Sequence, residues 1–166
     1  MVKKTVRFTK KVSTSFTRPD NVTAYAALDA LADKTADATI LSFADAVPVD
    51  AEAFEIVQAR LRIDDATGIA SDFRLHLYSS APTVVVDNAA FNLIAADRAK
   101  YLGYFTWADP VDLGNTQWAQ VAPTFKAELD ARKGSNATLY GMLQTVDGFT
   151  PVAECVFTIE LLIALI

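Results

Sequence analysis

Along the chain, apolar positions recur at a period of two far more often than at 3.6, the signature of strands with one buried face. The cleanest case is Phe73 to Tyr78, with Phe73, Leu75 and Leu77 on one side and Arg74, His76 and Tyr78 on the other. It stops at Ser79-Ser80-Ala81-Pro82-Thr83, where proline removes a ladder donor and small hydroxyl residues favour turns. A second apolar run, Val84 to Val86, ends at Asp87-Asn88 before Ala89-Ala90-Phe91 leads away. The longest alternation, Phe54 to Ile63, sets Val57, Ala59, Leu61 and Ile63 against Gln58, Arg60 and Arg62, which predicts two arginines on one exposed face. Asp64-Asp65-Ala66-Thr67-Gly68 reads as a turn. The short link that follows predicts that these two strands are sequential antiparallel neighbours without a helical crossover.

Val2 to Phe16 is basic and β-branched and reads as an N-terminal strand or arm, with Val6, Phe8, Val12 and Phe16 as candidate buried positions. Arg18-Pro19-Asp20-Asn21 is a turn cluster. Ala24 to Ala32 reads as strand or coil, since Asp29, Asp33 and Asp37 interrupt any helical face. Thr39 to Phe43 is a short strand, followed by a loop through Pro48 that carries Asp45, Asp50 and Glu52. Asn92 to Arg98 is either a single helical turn or a bulged edge, and Tyr101 to Trp107 is a strand ended by Asp109-Pro110. Ala119 to Phe125 carries Pro123 at an edge position, and Lys126 to Gly134 has the helix formers and glycine stop of one short helix. Thr138–Val146 and Val156–Leu165 close the chain. The fold class expected is all-β, a jelly-roll-like antiparallel β-sandwich of about eight strands with at most one or two short helices. Residues 1–18 form the basic arm and first strand, and 19–166 a single sandwich domain with an apolar C-terminal strand. In that last strand Phe157, Ile159, Leu161, Ile163 and Leu165 fill one face, while Leu162, Ala164 and Ile166 make its end apolar on the other. A partner subunit is expected to hold that end.

The hydrophobic fraction of 52% and charged fraction of 21% suggest more apolar surface than a lone monomer needs to bury, which favours a homo-oligomer, dimer or trimer, or a docked protein. The net charge of −5 argues against nucleic acid as partner. The only dense basic cluster, Lys3, Lys4, Arg7, Lys10 and Lys11, reads as an arm lying on an acidic partner or as a strand edge protected by lysines. The opening MVKKTVRFTKK lacks the apolar core of a signal peptide, and no apolar run approaches the ~20 residues of a membrane span. Synthesis in a cytoplasm, with no membrane partner, is the expectation.

Candidate chemistry is sparse. Cys155, the one cysteine, permits neither an intrachain disulfide nor a four-cysteine zinc site and reads as a small buried hydrophobe. His76 is the only histidine, so no multi-histidine metal cage can form, and alternation puts it on an exposed face, wrong for a Ser-His-Asp arrangement. Calcium-loop spacing and phosphate-binding glycine motifs are absent. No cofactor and no enzymatic activity are expected. Tyr101, Tyr104, Trp107 and Trp118, grouped around one polar excursion, are either core residues or aromatics able to stack on sugars or anchor an interface.

Several stretches recur together in a known group. Ser15-Phe16-Thr17-Arg18-Pro19, Thr23-Ala24-Tyr25-Ala26-Ala27, Phe73–Tyr78, Asp87-Asn88-Ala89-Ala90-Phe91, Tyr101-Leu102-Gly103-Tyr104 and Leu139-Tyr140-Gly141 occur here in the order seen in small virion proteins of tailed bacteriophages. Over most of its length the chain resembles phage head decoration, or cement, proteins with a jelly-roll fold. It departs from them at Leu28, where they carry glycine, and near Asp50–Ala53, where they have a glycine-rich link. The resemblance implies a protein on the outer surface of the virion that bridges subunits of the phage major capsid protein against internal DNA pressure, with no active site. The basic cluster Lys3–Lys11 and the run Leu161, Leu162, Ile163, Leu165 and Ile166 are then the candidate capsid or subunit contacts. The alternative is a carbohydrate- or receptor-binding jelly-roll module of a head or tail fibre, using the four aromatics.

Overall fold

The structure, a computed structural model, describes residues 9–48, 53–128 and 137–165. Its strands are β1 Thr9–Thr17, β2 Ala30–Leu31, β3 Leu41–Val47, β4 Ala53–Asp64, β5 Phe73–Tyr78, β6 Tyr101–Trp107, β7 Val111–Asp112, β8 Gln117–Val121, β9 Phe125–Glu128, β10 Ala137–Thr145 and β11 Val156–Leu165. One sheet runs β1-β11-β4-β8-β7, with β9 following β8 along β4. The other runs β2-β10-β5-β6, with β3 also on β10. All these ladders are antiparallel. The strand order is that of a jelly roll, in which the chain passes back and forth between two facing sheets.

That traffic corrects the expected pairing of the two long central strands. β4 pairs with β11, β8 and β9, whereas β5 pairs with β10 and β6 in the opposite sheet. The link between them carries the chain across the sandwich end. Ile69 is buried there, and the Ser71 hydroxyl lies 2.6 Å from Thr145 Oγ1, fastening the crossing to β10. Both strands therefore present alternate residues to one core from opposite sides.

Within β4 the alternation slips once. The register against β11 shifts between Leu162 and Ile163, leaving Val57 as an inserted residue, so Phe54 and Ile56 share the core face with Ala59, Leu61 and Ile63. Val57, expected on that face, is only half-buried. Arg60 and Arg62 point away from the core, as the alternation requires. The opposing wall comes from Phe73, Leu75 and Leu77 of β5 and Leu139 and Leu143 of β10, all buried. Each such side chain contributes roughly 1.5–3 kcal/mol on burial. Trp107 completes the join, its indole N–H donating across the sandwich to the Ala59 carbonyl at 3.1 Å.

Three further expectations meet the structure differently. Lys126–Glu128, the start of the expected helix, belongs to strand β9, because pairing with β4 and the contact of Phe125 with Phe54 override helix propensity; residues 129–134 lie outside the description. Strand β3 continues to Val47 through what was expected as a loop, with Asp45 at φ 52 making the kink. Asn92–Arg98 resolves to the helical alternative, a 3-10 turn at Ala95–Asp97. Val6, Phe8, Asp50 and Glu52 lie outside the description.

The turn cluster at Arg18 is not a solvated corner. Arg18 is buried and ion-paired to buried Asp87 at 3.2 Å. Its Nε donates to the Tyr25 hydroxyl, which donates to Asp87 Oδ1 at 2.6 Å, and Nη1 reaches the Asn21 and Val152 carbonyls at 3.3 Å each. Asp87 Oδ1 also accepts from the Ala32 N–H at 3.0 Å. Removing one partner strands the other charge in a dry site, which costs about 3–5 kcal/mol. Asp87→Ala is accordingly expected to lower the stability in urea by that amount, and an unfolding curve unchanged within 1 kcal/mol would show the pair to be dispensable.

Leu28 sits at φ 70 and is partly exposed, while its carbonyl accepts from Phe91 N at 3.0 Å. A side chain in that left-handed region costs about 1–2 kcal/mol, which glycine avoids at a smaller entropic cost. Leu28→Gly is therefore expected to raise the melting temperature by about 1–3 °C; a drop would mean that the leucine side chain contributes packing exceeding the strain.

Candidate functional site

The two terminal stretches singled out by the sequence lie side by side. β1 pairs with β11 so that Lys10 faces Ile163, Lys11 faces Leu162 and Ser13 faces Glu160. β4 continues the same rows, placing Gln58 beside Leu162 and Arg60 beside Glu160. Leu162 is thus a half-buried apolar residue between Lys11 and Gln58 on the outer face of the sheet. Lys11 Nζ lies 2.5 Å from Glu160 Oε1, and Arg60 Nη1 lies 3.6 Å from Glu160 Oε2. The Lys11 hydrogen bond, helped by the Arg60 charge, holds the Glu160 carboxyl below its usual range. Lys10 Nζ donates to the Asp45 carbonyl at 2.5 Å, joining the edges of the two sheets.

Alternation divides the C-terminal candidates. Leu161 and Ile163 are fully buried and face the core with Phe157 and Ile159, so they are corrected from contact candidates to core residues. Leu162 and Leu165 keep partial exposure. Lys3, Lys4, Arg7 and Ile166 lie outside the described residues. The strand ends nearest them, Thr9, Leu165, Ala53 and Glu128, share one end of the six-stranded sheet.

The four aromatics do not converge. Trp107 is 0% exposed and belongs to the core, which removes it as a ligand-stacking residue. Trp118 is half-buried on the outer face of the six-stranded sheet, with the Arg60 guanidinium 6.0 Å from its ring and Arg62 opposite it in register. Tyr104 is 52% exposed on the other sheet, with Arg74 stacked 5.2 Å from its ring. Tyr101 is tied up by His76.

His76 itself is the residue the alternation misplaces. It is 4% exposed, because the long connection from β5 to β6 folds back over the sheet and stacks Phe91 on its ring at 3.9 Å. Gln144 donates its amide N–H to the Leu28 carbonyl at 3.0 Å, which turns its oxygen towards the imidazole. His76 Nε2 then donates to Gln144 Oε1 at 3.0 Å, and Nδ1 accepts from the Tyr101 hydroxyl at 3.0 Å. Every polar atom of the ring is used, so the histidine is structural. The covering residue Phe91 is fifteen positions away and has no periodic relation to His76, so no local signal reports this burial.

Catalytic groups are not gathered elsewhere among the described residues, which hold no cluster of three or more His, Cys, Asp or Glu side chains able to bind a metal. Cys155 is buried, as expected of a small hydrophobe, and burial pushes its thiol up to about 12, far from a reactive thiolate. No described helix is long and apolar enough to cross a membrane.

No protein-family model and no curated protein matches the chain. Among solved structures it is similar to the decameric BFDV capsid protein, at 15% identity and TM-score 0.37, covering 96% of this chain and 99% of that one. The C-terminal CBM6 of LamC, a laminarinase of Zobellia galactanivorans, follows at 12% identity and TM-score 0.35, covering 96% and 100%. PRD1 vertex protein P5 is similar at 11% identity and TM-score 0.33, covering 94% and 96%. At scores this low the fold rests on the strand order itself.

Burial, with a smaller contribution from the Arg74 charge, lowers the His76 pKa to about 4. The unfolded chain takes up this proton near pH 6.5 and the folded chain only near 4, so stability falls as pH drops through that interval and is independent of His76 above pH 7. The loss is on the order of 3 kcal/mol at the acid end. In an NMR titration the His76 ring resonances are expected to stay put down to about pH 5; a midpoint near 6.5 would contradict its burial.

Proposed function

We propose that this chain is a structural virion protein that binds the outer surface of a tailed-phage capsid and bridges major capsid protein subunits. The observation that carries the reading is the β1–β11 pairing, which makes one surface of two stretches lying at opposite ends of the sequence. At that end an apolar residue, Leu162, stands beside Lys11 on the outer face, and the cluster Lys3, Lys4 and Arg7 precedes β1. The first eleven residues hold five of the 15 basic and none of the 20 acidic residues, so ten basic face twenty acidic in the remainder, a net −10. A basic, partly apolar end on an acidic body suits attachment to an acidic lattice in one orientation. The resemblance in sequence to decoration proteins supports the same reading. Many copies on one lattice make a modest single contact strong, so the surface needs no deep pocket.

A second reading draws on Trp118, whose half-buried ring lies on the outer face beside Arg60 and Arg62, where it could stack on a sugar. Trp107 is sealed in the core, so glycan-dependent quenching of tryptophan fluorescence would report Trp118 and favour a carbohydrate-binding module.

Co-sedimentation with undecorated phage heads separates the two. Saturable binding at a fixed copy number is expected, weakened roughly tenfold or more when Lys3, Lys4 and Arg7 are changed to glutamate. These three precede Thr9, the first described residue of β1, so every residue of the described β1–β11 ladder keeps its identity. Absence of saturable binding at any salt concentration would overturn the attachment reading.

A further inference from the structure

Among the described strands, the one at an edge of the five-stranded sheet with no partner beyond β5 is β6, Tyr-Leu-Gly-Tyr-Phe-Thr-Trp, and it contains neither a charge nor a proline. Sheet proteins ordinarily blunt such edges, because a row of unpaired backbone N–H and C=O groups recruits other strands. The other described edges carry such devices. β1 has Lys10 and Lys11, β3 is kinked at Asp45, β2 and β7 are two residues long, and Pro123 separates β8 from β9. Beside β6 runs an open groove of about 700 Å³ whose mixed lining includes Leu102, Phe105, Val121 and Phe125 along with Thr106, Thr124 and Lys126. Only the start of β6 is irregular: the register slips at Leu102, after which Gly103 to Trp107 pair regularly with β5.

The charges that flank this edge are of opposite sign. Exposed Arg98 precedes β6 and exposed Asp109 follows it, whereas Lys100 is already answered by buried Asp97 at 3.0 Å and Asp112 belongs to β7 of the other sheet. A parallel neighbour of the same sequence would set like charges together. An antiparallel copy centred on Phe105 sets the Arg98 end of each chain against the Asp109 end of the other, twice by symmetry, while the uncharged centre meets itself without repulsion. The basic arm Lys3–Lys11 finds no acidic residue on β6 to answer it.

We propose that β6 is a homodimer interface: two copies pair their β6 strands antiparallel across a two-fold axis, joining their five-stranded sheets into one continuous sheet. Tyr104 then lies opposite Thr106 of the second copy on the outer face, and Gly103 opposite Trp107. This surface lies at the opposite sheet edge from β1, so dimerisation leaves the proposed attachment end free and does not depend on what that end binds.

Sedimentation equilibrium of the full chain over a concentration series tests this. The wild type is expected to reach twice the chain mass, and Tyr104→Lys with Thr106→Lys to raise the dimer dissociation constant by roughly 100-fold or more, with circular dichroism unchanged. Tyr104→Glu with Thr106→Glu should behave likewise, and mixing the two variants should restore a heterodimer. A wild type that stays monomeric at all concentrations, or a dimer indifferent to both variants, would overturn the proposal. So would protection of β6 amides from exchange in a monomer, lost on removing Met1–Phe8, which would assign the edge to the chain's own arm.

Discussion

The Arg18–Asp87 ion pair is the constraint on which the rest of this structure leans. Three stretches distant in sequence meet at it: the end of β1, the long connection between β5 and β6, and the turn before β11. Neither charge could stay buried alone, and the hydrogen bonds from Tyr25 and the Ala32 N–H leave little of the carboxylate unanswered. Holding Asp87 there fixes the connection against the outer face of the five-stranded sheet. That placement carries Phe91 onto His76, and so turns the chain's only histidine into a neutral structural residue. A residue type suited to catalysis is thus consumed by packing, a consequence of one buried pair whose carboxylate, Asp87, stands eleven residues on in sequence.

A great deal of this was legible from alternation. The bounds of β6 and β11, the inward faces of β5 and β11, and the outward arginines of β4 all follow from period two alone. What alternation cannot carry is information about partners. It treats every side chain off the core face as solvent-facing, which fails for His76, where Phe91 of a loop covers the ring, and for Tyr78, which packs against Tyr101. It assumes consecutive strands pair, which a jelly roll defeats by sending β4 and β5 to opposite sheets. A single inserted residue, Val57, is invisible to it, since both registers place apolar residues at plausible positions.

The candidate surface shows the same division. The basic cluster and the apolar C-terminal run were visible as compositional anomalies, and the strict alternation within β11 already sorted Leu161 and Ile163 with the core residue Phe157. That Lys11 and Leu162 are neighbours follows only from the β1–β11 register, a contact between sequence ends. Likewise, β6 could be read as a strand, but its position at a sheet edge, which makes its lack of charge matter, depends on the whole strand order. Chemistry that lives in single residues was legible; chemistry that lives in adjacency was not.

The most direct measurement is amide hydrogen exchange of the full chain alone and bound to undecorated phage heads. If the β1–β11 end is the attachment surface, binding slows exchange in the peptides spanning the first eleven residues and Leu162 to Ile166, leaving the outer-face peptide around Trp118 unchanged. Slowed exchange confined to the Trp118 peptide, or none anywhere on a saturated head, would contradict the account.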